Sequence, residues 1–425
     1  MRAHAALALA ACAACTGTVG TVQLELTTAP GSHVLDAVQR LRLTLTDPHQ
    51  VVEAERTAAG FDLAFELDAA DRAGTLIVEG FDAAGALVAC GQSPPVPVSA
   101  LNSHVVIYVA PPRSIAAAPV ALSTARSEVA VSALSYGAII AGGREANGVP
   151  SSVIAIYNAY DHTLIAGIPM PSPRTGLALA SAPNGRVYLF GGTGADGAPT
   201  GTVWRFETTV APNGAFTPVA DEPGFARTGQ LAVPIAAERY LITGTPALDF
   251  AGTALTARGD IAGLPAIGAA GSAGGAAFAI FGDAPLVRYR PDAFDPLAGS
   301  GPPGGVAAAL PDGRVVIVGG ASRDALVIDG AGAVATVAGA LTVARTRPTV
   351  AATSRHLLVI GGSDGAGAPI ASADLLDAAT LAPLATLAIT PRTGGFAIAL
   401  PNGQVLFGGG APATTQLELF TPEPP

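Results

Sequence analysis

Short apolar runs alternate with polar residues, or end at glycine, along most of this 425-residue chain. Residues 22–26 and 41–45 place apolar and polar side chains at alternating positions, which is typical of strands with one buried face. Similar runs follow at 61–67, 74–80, 86–90 and 105–109, and 81–85 is typical of a hairpin turn. The pattern predicts a small antiparallel β-sandwich of immunoglobulin or transthyretin type over residues 16–112.

The rest of the chain repeats one unit. An apolar strand that ends in Gly-Gly, or in an eroded copy of it, occurs seven times at intervals of 37 to 53 residues. The first glycines are Gly142, Gly191, Gly244, Gly282, Gly319, Gly361 and Gly408. Polar Asn-Gly or Asp-Gly turns precede several of these strands and predict tight hairpins. A shorter apolar or aromatic strand follows most of them, so the period predicts stacked four-stranded sheets.

An arginine opens the unit in five of the repeats: Arg126, Arg174, Arg227, Arg345 and Arg392. One interpretation is structural, with each side chain bonded to backbone carbonyls of a neighbouring repeat. The other is a ring of guanidinium groups that binds an anionic glycan or a carboxylate-rich peptide. Arg347 is the strongest single candidate for ligand binding, because strand alternation returns it to the face of Arg345 and the other repeats have no equivalent.

The order of arginine, strand, hairpin, strand, Gly-Gly and aromatic strand resembles the Kelch repeat. The resemblance implies an all-β fold with a seven-bladed β-propeller over residues 113–425, in which stacked blades bury one another's faces. We expect residues 115–122 to complete the last blade and close the ring, and six blades are the alternative. The family's tryptophan on the fourth strand is absent, since Trp204 falls on a third strand, and the repeats at Gly282 and Gly319 lack the arginine.

Residues 1–15 have the pattern of an export signal: Arg2, an apolar stretch, and then Leu-Ala-Ala-Cys. This segment resembles a bacterial lipobox, in which Cys12 or Cys15 would be lipidated. We therefore expect an exported protein, lipid-anchored in the outer membrane or periplasm or at the cell surface. If Cys12 is lipidated, Cys15 remains available to pair with Cys90, and the alternative is that Cys90 is a buried thiol.

Composition excludes several chemistries. The net charge is −10 and the chain contains no lysine, so Schiff-base and phosphate-loop lysines are excluded. The arginines are spread singly and form no basic footprint for nucleic acid. The apolar runs are shorter than the about 20 residues that a membrane-spanning helix needs. The Gly-x-Gly-x-x-Gly sequence at 192–197 predicts a hairpin loop, because no helical pattern follows it.

Residues suited to catalysis are scarce in the repeat region. It contains His162 and His356 but no cysteine, which is too few for a metal centre or for a copper site of the galactose oxidase type. The neighbouring carboxylates Asp221 and Glu222, and the pair Asp292 and Asp295, have no convergent partner for sugar hydrolysis. We predict no catalytic residue, no metal and no cofactor.

These patterns favour a non-enzymatic binding protein of the cell envelope, with the sandwich as stalk and the propeller as platform for a protein or glycan ligand. A carbohydrate-active propeller enzyme of the epimerase or lyase type is one alternative, and a purely structural envelope protein is another. We expect a monomer that contacts the membrane through its N-terminal lipid and does not bind nucleic acid.

Overall fold

The structure is a computed structural model that describes residues 23–58, 60–61, 73–97, 104–261, 263–273, 276–282, 285–290 and 293–425. The described part is all-β and propeller-like, with strands interrupted only by the 3-10 helices Val34–Ala37, Pro183–Gly185 and Pro223–Phe225. The predicted lipidation at Cys12 or Cys15 lies outside the described residues. In the described ranges no helix is long and apolar enough to cross a membrane.

Seven four-stranded antiparallel sheets occur in the described part of residues 114–421, and we number them in chain order. Sheet 1 contains Ala130–Leu134, Gly137–Ala141, Ile154–Asn158 and Thr163–Ala166. Sheet 2 contains Ala178–Ala182, Arg186–Phe190, Thr202–Glu207 and Ala215–Asp221. Sheet 3 contains Ala232–Ala236, Arg239–Ile242, Ala247–Ala251 and Ala254–Arg258. Sheet 4 contains Gly268–Ala273, Ala276–Phe281, Val287–Arg290 and Ala293–Pro296.

The last three sheets follow the same order. Sheet 5 contains Gly305–Ala309, Val315–Gly319, Ala325–Ile328 and Val334–Val337. Sheet 6 contains Thr349–Ala352, His356–Ile360, Ile370–Asp377 and Pro383–Arg392. Sheet 7 contains Phe396–Ala399, Val405–Gly408, Leu417–Thr421 and, from the start of the repeat region, Ser114–Ala117. As the sequence predicted, the start of the repeat region completes the last sheet, with Ile115 opposite Phe420. The strand ends at Ala117, so it covers only the first part of the expected segment 115–122.

The first strands of the sheets form the contacts between neighbours. Each first strand contacts the first strand of the next sheet, and that of sheet 7 contacts that of sheet 1. The second strands are buried on both faces, which explains why they are continuous apolar runs instead of alternating ones. Their side chains pack between sheets: Leu358 and Ile360 of sheet 6 share one cluster with Val405 and Phe407 of sheet 7.

The hairpin turns agree with the sequence. Asn184 and Gly185 have φ values of 64° and 71°, so the Asn-Gly pair supplies the left-handed conformation that this tight turn requires. Trp204 lies on the third strand of sheet 2, as predicted. The predicted position of one diglycine was wrong by one residue. In sheet 7 the glycines with the conformation of Gly142 and Gly143 are Gly409 and Gly410, because Gly408 still belongs to the strand.

The N-terminal region forms a five-stranded antiparallel sheet in the order Gly60–Phe61, Gln50–Thr57, Arg40–Leu45, Leu76–Phe81 and Leu87–Gln92. Sequence patterns missed the strand Gln50–Thr57, whose side chains are mostly exposed. Gln23–Thr27 pairs in parallel with His104–Tyr108, which differs from the antiparallel arrangement that we expected. The pairs Ala73–Gly74 with Val96–Pro97 and Arg126–Ser127 with Arg144–Glu145 complete the strands.

Specific contacts attach this N-terminal region to sheets 1 and 7. The Tyr108 backbone N–H donates to His162 Nε2 at 3.3 Å, and His162 Nδ1 lies 2.6 Å from Tyr157 Oη. Gln92 Nε2 donates to the Asn402 carbonyl at 2.7 Å. Cys90 is a buried free thiol, as the second alternative predicted, and burial raises its pKa to about 12. Such a thiol stays protonated and is a poor nucleophile.

Candidate functional site

The predicted arginines lie at one edge of the sheets, where each second strand ends in its glycines; we call this the diglycine edge. Arg126 Nη1 donates to the carbonyls of Gly142 at 2.7 Å and Val153 at 3.0 Å. Arg174 bonds Gly191 and Thr202 in the same way. Each guanidinium therefore joins the end of the second strand to the start of the third strand in its own sheet.

The same geometry recurs in two further sheets. Arg345 donates to the carbonyls of Gly361 at 3.0 Å and Ser372 at 2.9 Å. Arg227 donates to Thr243 and Pro246, both at 2.9 Å. The prediction that these side chains bond backbone carbonyls is confirmed. The prediction that the carbonyls belong to a neighbouring repeat was wrong, because each guanidinium bonds carbonyls of its own sheet.

The connection between neighbouring sheets runs through backbone groups instead. The second glycine of a sheet donates its N–H to the carbonyl of the arginine that opens the next sheet, at 2.8–3.0 Å. The pairs are Gly143 with Arg174, Gly192 with Arg227, Gly320 with Arg345, and Gly362 with Arg392. A Cβ on the first glycine would collide here: at Gly361 it would lie 2.5 Å from the Arg392 carbonyl oxygen. The diglycine is thus required by the close approach of the next sheet.

Most of these arginines are removed from solvent. Arg126, Arg174, Arg345 and Arg392 are buried, and Arg227 is half-buried. Arg392 pairs with buried Glu418 and lies with its guanidinium carbon 5.3 Å from the centre of the Phe407 ring. The hypothesis of an open guanidinium ring therefore fails for these positions, because the side chains are buried or half-buried and bond groups of their own sheets.

Arg347 is different, because its side chain is exposed. The expectation that it shares a face with Arg345 was wrong: residues 344–348 are not a strand, and Arg347 has a φ of 48°. Its N–H donates at 2.6 Å to the carbonyl of Gly304, which precedes the first strand of sheet 5. This cross-sheet bond holds Arg347 in a backbone conformation that L-residues rarely adopt.

Arg347 also has equivalents, contrary to the sequence interpretation. The residue two positions after the arginine has positive φ in every repeat that contains that arginine. These residues are Glu128, Gly176, Gly229, Arg347 and Gly394. Three of these five residues are glycines, and the other two, Arg347 and Glu128, carry charged side chains. Glu128 is engaged, since it accepts from Thr175 Oγ1 of sheet 2 at 2.5 Å and lies 3.5 Å from Arg144.

The loops from second to third strands lie at the same diglycine edge. In sheet 2 this loop closes through a Thr193–Pro199 bridge, and Asp196 Oδ1 accepts from the Ala198 N–H at 3.0 Å. The Gly-x-Gly-x-x-Gly sequence at 192–197 is therefore a hairpin loop, as predicted. Thr346, next to Arg347, pairs with Ser363 of the corresponding loop in sheet 6. Backbone hydrogen bonds thus hold the loops at the diglycine edge.

Two described arginines have no hydrogen bond or ion pair through their guanidinium groups: Arg323 and Arg347. Both are exposed. Arg323 lies in the loop after Gly320 of sheet 5, and Arg347 precedes the first strand of the adjacent sheet 6. Each of the other described arginines makes at least one hydrogen bond or ion pair, so Arg323 and Arg347 carry the exposed, unpartnered positive charge at the diglycine edge.

The first strands, which contact one another from sheet to sheet, offer little chemistry. Their sequences are AVSAL, ALASA, AVPIA, GAAGSA, GVAAA, TVAA and FAIA. These seven strands contain no charged residue and no histidine. Among the described residues no group of three or more His, Cys, Asp or Glu side chains is placed to hold a metal ion.

The other residues considered for catalysis are dispersed or paired. Burial lowers the pKa of His162 to about 3, and burial also lowers that of His356, which faces Glu423 at 3.3 Å. Asp295 pairs with Arg288 at 3.0 Å and Arg290 at 2.7 Å, while Asp292 lies outside the described residues. The structure brings none of these groups together.

No protein-family model and no curated protein matches this chain.

Proposed function

We propose that residues 113–425 form a seven-bladed Kelch-like β-propeller. The cyclic contacts between first strands support this, and so does the strand Ser114–Ala117, which ties the start of the region to sheet 7. Seven equivalent sheets in such a ring leave few open edges. The N-terminal region would then be a sandwich-like stalk on a lipid-anchored, exported chain, with lipidation at Cys12 or Cys15.

We further propose that this protein is a binding protein and not an enzyme, and that it recognises an anionic group of a protein or glycan ligand at the diglycine edge. The observation that carries the proposal is the exposed, unpartnered guanidinium of Arg347. Arg323, in a loop of the preceding sheet, is likewise exposed and unpartnered. A guanidinium with free donors binds carboxylate or phosphate oxygens through two parallel hydrogen bonds. Rigid loops around a propeller mouth suit such recognition.

A binding panel tests this proposal with the full chain, because the N-terminal region packs on the repeats. The panel contains glycans, peptidoglycan fragments and peptides, each in an acidic and a matched neutral form. We expect saturable binding to the acidic members and weaker binding in Arg347→Gly. Glycine is the chosen substitution because three other repeats have it at this position. Binding to neutral members that Arg347→Gly leaves unchanged would contradict the role of Arg347. Silence across the panel would favour a structural envelope protein.

A further inference from the structure

A buried carboxylate completes the arginine corner in sheets 6 and 7. In sheet 6, Asp374 lies opposite Val359, two residues before Gly361, and accepts from Arg345 Nη2 at 2.9 Å and Thr342 Oγ1 at 2.6 Å. In sheet 7, Glu418 lies opposite Phe407, two residues before Gly409. It accepts from Arg392 Nη2 and from the Thr390 N–H. An arginine and a preceding threonine converge on one carboxylate in both sheets.

Sheet 1 has the arginine and the preceding threonine, but no carboxylate at the position equivalent to Asp374 and Glu418. Register places Ala155 opposite Ile140, two residues before Gly142, which is the position of Asp374 and Glu418. Three buried donor groups here have no protein partner: Thr124 Oγ1, Arg126 Nε and Arg126 Nη2. Arg345 and Arg392 each leave one nitrogen without a partner, whereas Arg126 leaves two. The nitrogen that meets a carboxylate in sheets 6 and 7, Nη2, therefore has no acceptor in sheet 1.

Sheet 2 shows how the corner is closed without a carboxylate. Its equivalent position is Trp204, a bulky side chain opposite Leu189. There Arg174 donates to the hydroxyls of Ser172 and Thr202, so the guanidinium is satisfied by its own neighbours. Ala155 provides neither the bulk nor an acceptor.

We propose that the Thr124–Arg126 corner of sheet 1 binds the carboxylate group of a ligand, which takes the place that Asp374 and Glu418 hold in their sheets. Arg126 is 0% exposed, and Glu145, which lies opposite it in register, accepts no hydrogen bond from its guanidinium. Leaving buried charged donors without an acceptor is costly, so a bound carboxylate is favoured. Ala118 and Leu122, which pack in one cluster with Ala155, belong to the segment between the closing strand and Arg126 that has no regular secondary structure. This site is independent of Arg347 and of the function proposed for it.

The test compares melting temperatures in sodium formate and in sodium chloride at equal ionic strength. We expect formate to raise the melting temperature of the wild-type chain by about 2 °C or more. Ala155→Asp supplies an internal carboxylate, so this variant melts higher than wild type in chloride and no longer responds to formate. Ala335→Asp adds the same charge at an exposed position of sheet 5 and keeps the wild-type response.

A reciprocal variant keeps the test decisive if Ala155→Asp does not fold. Asp374→Ala gives sheet 6 the arrangement of sheet 1, so its formate response exceeds that of wild type. A triglutamate peptide, with triglutamine as control, distinguishes a carboxylate on a polypeptide from a small free carboxylate. A response of wild type to either carboxylate that Ala155→Asp lacks supports the site. A wild-type chain that responds to neither, or a response that is equal in wild type and Ala155→Asp, overturns it.

Discussion

Arg345 and Asp374 form an ion pair inside sheet 6, with Arg345 Nη2 2.9 Å from Asp374 Oδ2 and side-chain exposures of 0% and 1%. Removing the carboxylate charge leaves a buried guanidinium without a counter-charge, which costs about 3–5 kcal/mol. We therefore expect Asp374→Asn to lower the free energy of unfolding by about 3 kcal/mol, measured by urea denaturation. Asp312→Asn breaks the exposed pair with Arg314 and serves as the control, with a loss below about 1 kcal/mol. Equal losses in the two variants would show that the buried pair contributes no more to stability than the exposed pair.

The close approach of sheet 7 to Gly361 gives a second prediction. Gly361 has a φ of 57°, and a Cβ there would lie 2.5 Å from the Arg392 carbonyl oxygen. Gly361→Ala therefore combines left-handed strain of about 1–2 kcal/mol with a backbone collision. We expect a marked loss of stability in chemical denaturation. Gly365, whose added Cβ would meet nothing within 4 Å, provides the matched control, since Gly365→Ala should change stability little.

His162 gives the stability a defined pH dependence. Because its Nε2 accepts from the Tyr108 N–H, the neutral ring carries its proton on Nδ1 and donates it to Tyr157 Oη. Burial lowers the folded-state pKa from 6.5 to about 3, so the unfolded chain binds this proton first. The stabilisation is present above pH 6.5 and is lost as the pH falls from 6.5 toward 3, at about 1.4 kcal/mol per pH unit.

The measurement is the free energy of unfolding between pH 7 and pH 4, in wild type and in His162→Gln. The variant should show a smaller slope over this window, because glutamine does not titrate. Identical slopes would mean that His162 is not the group whose protonation opposes folding.

Local features of the sequence predicted much of the fold. The second strands could be predicted because burial on both faces requires continuous apolar runs. The turn at Asn184 and Gly185 could be predicted because its positive φ values favour Asn and Gly. The position of the closing strand followed from the chain's missing fourth strand in sheet 7. The strand Gln50–Thr57 was missed because its exposed side chains carry no apolar signal.

The candidate site was harder to predict, because burial at the diglycine edge depends on the next sheet. Arg345 and Arg347 are two residues apart in the sequence, yet Arg345 is buried in sheet 6 and Arg347 is exposed. The bond from the Arg347 N–H to the Gly304 carbonyl fixes that difference, and it joins residues of two sheets. A signal did exist: Arg-Thr-Gly occurs at 174–176, 227–229 and 392–394, which marks position 347 as a place for left-handed backbone.

The left-handed conformation of Arg347 predicts a trade between stability and binding. Replacing arginine by glycine at a φ of 48° removes the conformational penalty, which is about 1 kcal/mol for an L-residue. Arg347→Gly should therefore be as stable as wild type or up to about 1 kcal/mol more stable. Arg323→Gly lacks this benefit, because Arg323 is not among the residues with positive φ. Thermal and urea denaturation of both variants compare the two effects, and destabilisation by Arg347→Gly alone would contradict the interpretation.

The most direct test of the proposed function is the dissociation constant of an acidic ligand from the binding panel, measured for wild type and Arg347→Gly by titration calorimetry. Hydrogen bonds to a charged group contribute about 1.5–3 kcal/mol, so we predict a loss of affinity of about tenfold or more in a fully folded variant. The affinity of wild type should also fall as salt is added. An unchanged dissociation constant in Arg347→Gly would contradict recognition of an anionic group at the diglycine edge.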